Sequence, residues 1–356
     1  MPRTDRFADS DQGHPDHEEV RVVRGSRTGV PIVIGIHSTK RGPAIGGCRI
    51  KPYSTWHEGL ADVLRLSRAM TLKCALADLP HGGGKTVAIV PEGPLAPARR
   101  RELIVDIAER IAQLEGRYLT GPDIGSGPAD MAVIHSRAHG WAFCRPEDQG
   151  GSGDSSPATA RGVVAALTAA VAHRHPDRGL SGLRIGVVGF GSVGRLVASM
   201  LAGADAEVVV SDVNGSLRPE AERLGLAWTV SDIIREELDV LVPAATGGLL
   251  TPAAAASCQA PVIVGPANNQ VADESVVTLL QERGITWVPD VIASAGGIIH
   301  AVCREELDLD EAATNARVDA IGDKVTRILE VARDHGTTTL QAARAVAAES
   351  NQAACR

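Results

Sequence analysis

The sequence predicts an α/β protein in two domains, and three observations carry that expectation. Its 356 residues suit two domains of ordinary size, each with its own core. From residue 183 onward, short apolar runs alternate with helical patterns, as parallel strands joined by helical crossovers require. Before them, Gln149-Gly-Gly-Ser-Gly-Asp-Ser-Ser156 breaks the composition and reads as a hinge. The expected divisions are a disordered or loosely held start at 1–19, a first domain at 20–148 and a second at 149–334. A closing helix at 335–356 is expected to pack back on the first domain, and an active-site cleft is expected between the two.

With 44% hydrophobic and 22% charged residues, the composition is that of a soluble globular protein. The formal charge of -7, with no concentrated basic face, argues against a nucleic-acid or membrane-surface role and leaves small molecules as partners. Cysteines 48, 74, 144, 258, 303 and 355 show neither CxxC nor metal-ligand spacing. No metal site is expected, and a reduced, cytoplasmic setting is the simplest. The first residues lack the apolar core of a secretion signal, and no apolar run reaches membrane-spanning length.

Runs at 20–23 and 30–36, parted by Gly25-Ser-Arg-Thr-Gly29, read as a β-hairpin. In Gly42-Pro-Ala-Ile45-Gly46-Gly47-Cys-Arg49 the glycines permit close approach, either of another strand or of a ligand. Leu60, Val63, Leu64, Ser67 and Met70 keep helical spacing, which puts Lys73 in the last turns of a helix starting near Trp56. Lys85 follows Pro80 and Gly82-Gly83-Gly84 and opens the β-branched run 86–90, a buried strand. A lysine at a helix end can simply reach water or complement the helix dipole. Two ammonium groups brought together away from water would instead favour release of a proton from one, and so acid–base chemistry near neutral pH. Convergence of Lys73 and Lys85 in one pocket is therefore the central expectation. A helix at 97–114 and a short strand at 117–120 lead to Gly121-Pro122-Asp123-Ile124-Gly125. Asp123 reads either as a turn residue bonding its own backbone or as a loop-borne carboxylate for proton transfer. A further helix begins at 130–135.

The second domain opens with a helix at 157–173, for which Ser156 is a fair N-cap and Pro157 suits the first position. The run 183–188 enters Gly189-Phe-Gly191-Ser192-Val193-Gly194, followed by a helix at 195–202, a strand at 207–211 and Asp212. A Gly-x-Gly-x-x-Gly pattern between strand and helix, with an acid 18 residues beyond its last glycine, is a specific signal for a Rossmann dinucleotide-binding domain. Gly189 allows the tight turn, Gly191 lets the backbone approach a pyrophosphate, and Gly194 lets helix and strand pack closely. Ser192 and Val193 start the helix whose N–H groups supply the donors. Asp212 would bind the adenosine ribose hydroxyls and repel a phosphate there, favouring NAD over NADP. Later strands at 239–242, 262–265 and 286–288 end in three small or polar loops. These are Ala244-Ala245-Thr246-Gly-Gly248, Pro266-Ala-Asn268-Asn269 and Pro289-Asp290 through Ser294-Ala-Gly296-Gly297. In an open parallel sheet such loops edge the cofactor cleft, which brings in Ala245, Thr246, Asn268 and Ser294. Two long helices, 310–334 and 339–352, close the chain.

Taken together, these motifs resemble those of the glutamate/leucine/phenylalanine/valine dehydrogenase family over nearly the whole chain after residue 20. The segments Gly42 to Arg49, Met70-Thr-Leu-Lys73, Leu79-Pro-His-Gly-Gly-Gly-Lys85, Thr120-Gly-Pro-Asp123, Ala267-Asn-Asn269 and Pro289 to Gly297 occur in the family's order. The resemblance implies that the first domain binds substrate and that the second is the Rossmann domain for NAD. It also implies that Lys73 binds a substrate α-carboxylate, that Lys85 polarises the carbonyl or activates water, and that Asp123 shuttles the proton at the amino group. Asn268 would meet the substrate, and Thr159 of Ser156-Pro-Ala-Thr159 would lie by the nicotinamide. The implied reaction is oxidative deamination of an amino acid to a 2-oxo acid and ammonia: hydride passes from Cα to the cofactor, water adds to the imine, and ammonia departs. A homo-oligomer, a dimer or larger, is the expected assembly.

The glutamate enzymes have a lysine before the Gly-Gly pair, where this chain has Ile45, so an apolar substrate side chain is expected. Ile45, Gly46, Met70, Gly121, Ile298 and Ala301 are the candidate walls. Small Gly121 and Ala301, with Ile299-His300 and Arg304-Glu305, look most like the phenylalanine dehydrogenase branch. A methylene more or less is worth only about 1 to 3 kcal/mol in such a pocket, which keeps leucine or valine as the alternative. Where family members carry Asn-Ala-Gly-Gly, this chain has Ser294-Ala-Gly-Gly297, and a hydroxyl cannot replace both functions of an amide. That departure motivates a second alternative, a weakly active NAD-binding regulator. A third is a hydroxy-acid dehydrogenase using the same cofactor domain.

Overall fold

A computed structural model describes residues 16–245 and 247–354. Backbone contacts divide them into two units. The first comprises the chain to Thr71 with 81–127 and 133–141; the second comprises 72–80, 128–132 and everything from Ala142 onward.

The first unit is built from β1 (Glu19–Arg24), β2 (Pro31–Ser38), β3 (Ala44–Lys51), most of α1 (Trp56–Leu76), β4 (Gly82–Ile89), α2 (Pro97–Ala112), β5 (Tyr118–Pro122) and the end of α3 (Pro128–Arg137). Its strands form one sheet in the order β1-β2-β4-β3-β5. The hairpin and its neighbour β4 run antiparallel, whereas β3 lies parallel to both β4 and β5. The glycine-rich segment at 42–49 is thus the start of a central strand. At Gly46 the close approach is to another strand: a Cβ there would fall 1.8 Å from Gly84 O. Val63 of α1 packs with Val33 and Val87 of the sheet, burying the apolar stripe that predicted the helix. Of the start expected to be loose, 1–15 lie outside the described residues. Asp16–Glu19 are held in place: the His17 ring lies 2.7 Å from Ser67 Oγ, Arg68 donates to Asp16, and Glu19 opens β1.

The second unit continues with α4 (Ser156–Arg174), β6 (Arg184–Val188), α5 (Ser192–Gly203), β7 (Glu207–Ser211), α6 (Arg218–Arg223), β8 (Ala227–Trp228), β9 (Val240–Pro243) and α7 (Pro252–Ser257). Then come β10 (Val262–Ile263), α8 (Glu274–Glu282), β11 (Thr286–Trp287), α9 (Asp290–Ala293), α10 (Gly296–Glu305), α11 (Glu311–Asp319), α12 (Ile321–His335) and α13 (Thr339–Ala354). Every pairing in the sheet β11-β10-β9-β6-β7-β8 is parallel. The order reverses at β6, the doubly wound pattern in which a dinucleotide lies beyond the strand ends at the switch point.

Three expectations need correction here. Ser156 does not cap α4 through its side chain: Ser155 takes the cap position, and the Ser156 hydroxyl donates instead to Asp154 at 2.7 Å. The helix expected at 310–334 is two, broken at Ala320, with Gly322 just beyond the break letting α12 approach α4 at Ala165 O. The closing helix α13 groups with the second unit and not, as expected, with the first. Its Leu340 joins the core around Trp287, and Arg344 pairs with Glu274 of α8. Among the described residues five cysteines are buried free thiols, and no helix is long and apolar enough to cross a membrane.

Candidate active site

In the first unit, β4 delivers Lys85 and the turn after β5 delivers Asp123. The turn does not use the aspartate side chain for its own closure. Ser126 Oγ accepts from Asp123 N at 3.0 Å and donates to Cys48 O at 2.6 Å, while Gly125, at φ +80°, lies too close to Ile50 O for any Cβ. The carboxylate is therefore left to meet Lys85 Nζ, 2.5 Å from its Oδ2. Both sit over Gly47, where a Cβ would fall 2.8 Å from Lys85 Nζ and 2.8 Å from Asp123 Cβ. Alternation along β3 places Ile45 and Arg49 on the same face as that gap. Arg49 Nε donates to Asp123 Oδ2 at 3.0 Å, and its Nη1 donates to Asp62 Oδ2 at 2.8 Å. The Tyr53 hydroxyl donates to the same Asp62 oxygen at 2.6 Å, and Arg65 pairs with Asp62 as well. Burial alone would raise the Asp123 pKa. The charges of Lys85 and then Arg49 outweigh it and hold the carboxyl well below the usual range. For Arg49, burial opposes the charge while Asp123 and Asp62 more than restore it.

The glycines before Lys85 are spaces for neighbours. A Cβ on Gly83 would lie 2.1 Å from Thr71 N, so α1 packs directly on the start of β4. Ile45 is fully buried, Gly121 is buried opposite Gly47 in β5, and Met70 is half-buried on α1.

In the second unit, Lys73 Nζ donates to Ser294 Oγ at 2.8 Å, to Ser294 O at 3.4 Å and to Asn268 Oδ1 at 3.5 Å. The Ser294 hydroxyl itself donates to Asp290 O at 2.6 Å, which leaves an oxygen lone pair toward the ammonium. The loop carrying Asn268 is fixed from both sides. Asn269, at φ +56°, donates its N–H to Asp290 Oδ2 at 2.6 Å. Buried Gln270 donates to Gly265 O at 2.7 Å and accepts from Trp287 Nε1 at 3.0 Å. Gly296 and Gly297 let α10 lie on α4: a Cβ on Gly296 would fall 2.1 Å from Ala158 O, and one on Gly297 2.6 Å from Thr159 Oγ1. Ile298 is half-buried and Ala301 fully buried on α10.

The nucleotide fingerprint takes the predicted shape. Gly189 turns at φ +103°, with a Cβ there only 2.7 Å from Ala245 N; a Cβ on Gly194 would fall 2.1 Å from Gly189 O. Gly191, by contrast, faces open space and precedes α5 as its N-cap, with no side-chain cap on the helix's first N–H groups. Asp212 is held by Phe190 N at 2.7 Å and Asn214 N at 2.8 Å. Thr246 lies outside the described residues. Lys85 and Asp123 are thus brought together in one unit, and Lys73, Asn268 and Ser294 in the other. Arg49 and Asp62 were given no role from sequence, although a charged residue in a buried strand is itself a signal that a partner exists.

A doubly wound sheet with this fingerprint and acid defines a dinucleotide-dependent protein. Residues 14–139 match the family described as Glu/Leu/Phe/Val dehydrogenase, dimerisation domain, and residues 220–355 match Glutamate/Leucine/Phenylalanine/Valine dehydrogenase. Residues 160–254 also match the NAD binding domain of D-isomer specific 2-hydroxyacid dehydrogenases. A valine dehydrogenase of Streptomyces virginiae is 38% identical over 343 residues, 95% of this chain and 94% of that protein. A phenylalanine dehydrogenase of Lysinibacillus sphaericus is 38% identical over 292 residues, 80% of this chain and 75% of that one. The crystal structure of L-tryptophan dehydrogenase from Nostoc punctiforme superposes with a TM-score of 0.80 at 32% identity, covering 96% of this chain and 97% of that one. The chain belongs to the Glu/Leu/Phe/Val dehydrogenase family. It is an NAD-dependent amino acid dehydrogenase, an oxidoreductase acting on CH–NH2 groups.

Proposed function

We propose that this dehydrogenase oxidatively deaminates an apolar L-amino acid with an aromatic, phenylalanine-like side chain, and runs the reverse reductive amination. The observation that carries this reading is the Lys85–Asp123 pair, 2.5 Å apart, with apolar, fully buried Ile45 on the same strand face. No cation stands at position 45 to hold a distal carboxylate, and the candidate wall positions 121 and 301 carry the small residues Gly121 and Ala301.

In this reading Lys73, with Asn268 beside it, neutralises the substrate α-carboxylate. NAD would be held by Gly191, the start of α5 and Asp212, with Ser294, Ala245 and Thr159 as further contacts, and would supply a hydride acceptor for the substrate Cα. Lys85 polarises the substrate carbon and orients the water that adds to the imine. Asp123 receives and returns the proton at nitrogen, and ammonia leaves. A homo-oligomer is supported by the description of the first matched segment as a dimerisation domain. The buried free thiols suit a cytoplasmic setting. Similarity to valine dehydrogenases over most of the chain favours a second reading, a branched aliphatic substrate.

A panel assay tests this: NAD with phenylalanine, tyrosine, tryptophan, leucine, isoleucine or valine, followed by NADH absorbance. The expected result is the highest kcat/KM with an aromatic amino acid and an ammonia requirement in reverse. A higher kcat/KM for valine or leucine selects the second reading. No turnover with any of them despite intact NAD binding defeats both.

A further inference from the structure

We infer that Arg49 is a positioning residue for the reaction: clamped by Asp62, it aims the Asp123 carboxylate at the reacting nitrogen and sets the pH at which that carboxylate works. The inference rests on the reading of Asp123 as the proton carrier.

The geometry is a chain of alternating charge along the Gly47 face, Asp62–Arg49–Asp123–Lys85. Arg49 reaches both carboxylates at once, with Nε and Nη2 on Asp123 at 3.0 and 3.5 Å and Nη1 on Asp62 at 2.8 Å. A planar fork with several fixed donors can do this, and a lysine ammonium on a flexible stem cannot. Arg49 itself has little freedom: it is 7% exposed in a strand interior, and Asp62 is in turn anchored by the Tyr53 hydroxyl and Arg65. The short contacts of Arg49 Nε and Lys85 both fall on Asp123 Oδ2, while Oδ1 carries the 3.5 Å contact from Arg49 Nη2, which leaves a lone pair there for a substrate amine.

The charged and titratable groups around Asp123 are Lys85 from β4, Arg49 from β3 and Tyr118 from β5. Asp62 and Arg65 from α1, with Tyr53, stand behind Arg49. Removing a cation beside a carboxylate raises its proton affinity, and removing an anion behind that cation lowers it. Variants at the two ends of the clamp should therefore differ: loss of the Arg49 charge raises the acid limb of the kcat profile, and loss of the Asp62 charge does not.

The experiment is kcat and KM against pH for the purified enzyme with NAD and its best amino acid from the panel, together with thermal melting of each variant. Arg49→Met should move the acid limb upward by roughly 1 to 3 pH units and lower kcat. Asp62→Asn should leave it unmoved or move it downward. Arg49→Lys, which keeps the charge and loses the fork, should keep the parent's limb while kcat falls about tenfold or more at every pH and KM changes little. A role confined to stability predicts lower melting temperatures with unshifted limbs, and that result overturns the inference. If Arg49→Met does not fold, Arg49→Lys and Asp62→Asn decide: parent-like kcat in both overturns it. Asp123→Asn separates the two claims. Parent-like activity there overturns the reading of Asp123 itself. An inactive Asp123→Asn beside profiles of the Arg49 and Asp62 variants that superpose on the parent's overturns the role of Arg49 alone.

Discussion

Lys73 meets oxygens of its own unit: the Ser294 hydroxyl and carbonyl and the Asn268 amide. A hydrogen bond to a charged group is worth about 1.5 to 3 kcal/mol, more than one between neutral groups. If Lys73 receives the α-carboxylate, Lys73→Ala should raise the amino-acid KM a hundredfold or more, by order of magnitude, while the NAD Kd stays near the parent's. Ser294→Ala removes one acceptor and leaves the others, so an increase in KM of about tenfold is expected, the lower end of that range. Steady-state kinetics with a separate NADH fluorescence titration resolves the two. A Ser294→Ala effect confined to NAD affinity would place the hydroxyl with the cofactor rather than with Lys73. Lys85 and Asp123 were legible in the sequence because glycines and prolines flank them, whereas Lys73 was legible only through the helical spacing that precedes it. The pairing of Arg49 with Asp62 was not, because strand β3 and helix α1 bring them together and no local pattern joins them.

The turn from β6 into α5 shows how one element divides its glycines between folding and binding. Gly191 has φ -76°, which any residue can adopt, and open space where its Cβ would stand. Gly191→Ala should therefore keep the parent's melting temperature within a degree or two, by rough estimate, and weaken NAD by about tenfold or more, since the methyl stands where the pyrophosphate approaches. Gly194→Ala places a Cβ 2.1 Å from Gly189 O and should cost about 3 kcal/mol of stability before any cofactor is added. Thermal scans beside an NADH titration check both, and equal destabilisation by the two variants would contradict this division. This element was readable in advance because strand, glycine spacing and acid reinforce one another. Strand β3 was hidden because Gly46 and Gly47 erase its alternation. The break at Ala320 was hidden for a different reason: α11 and α12 both pack on α4, and no proline or glycine stands at 319–321 to announce a break.

Across the whole molecule, the native state holds several groups below their ordinary pKa values, and the sign of each fixes how acid acts on it. Asp62 and Asp106 are both opposed by burial. Tyr53 and Arg49 outweigh it at the first, and Thr28 and Arg27 at the second. Asp123 is held lower still. Each binds fewer protons folded than unfolded. Their contribution is complete above the ordinary aspartate value of about 3.9 and is lost as pH falls through the folded values. His17, His173 and His300 are also held low, each mainly by burial, and their unfolded forms take up protons first, below about pH 6.5. Stability should therefore decline gently from about pH 6.5 and steeply below about pH 4. Asp106→Asn supplies the internal check. The Asp106 carboxylate accepts Thr28 N at 3.0 Å, Thr28 Oγ1 at 2.7 Å and Arg27 N at 3.1 Å, and an amide keeps the shape but loses the charge and one acceptor. The variant should melt well below the parent at pH 7, and the gap should narrow as pH falls through the carboxylate range, because protonation takes the same charge from the parent. Melting temperatures measured from pH 8 to about pH 3 test this, and a gap that stays constant over that range would mean that Asp106 acts through its shape and not through its charge.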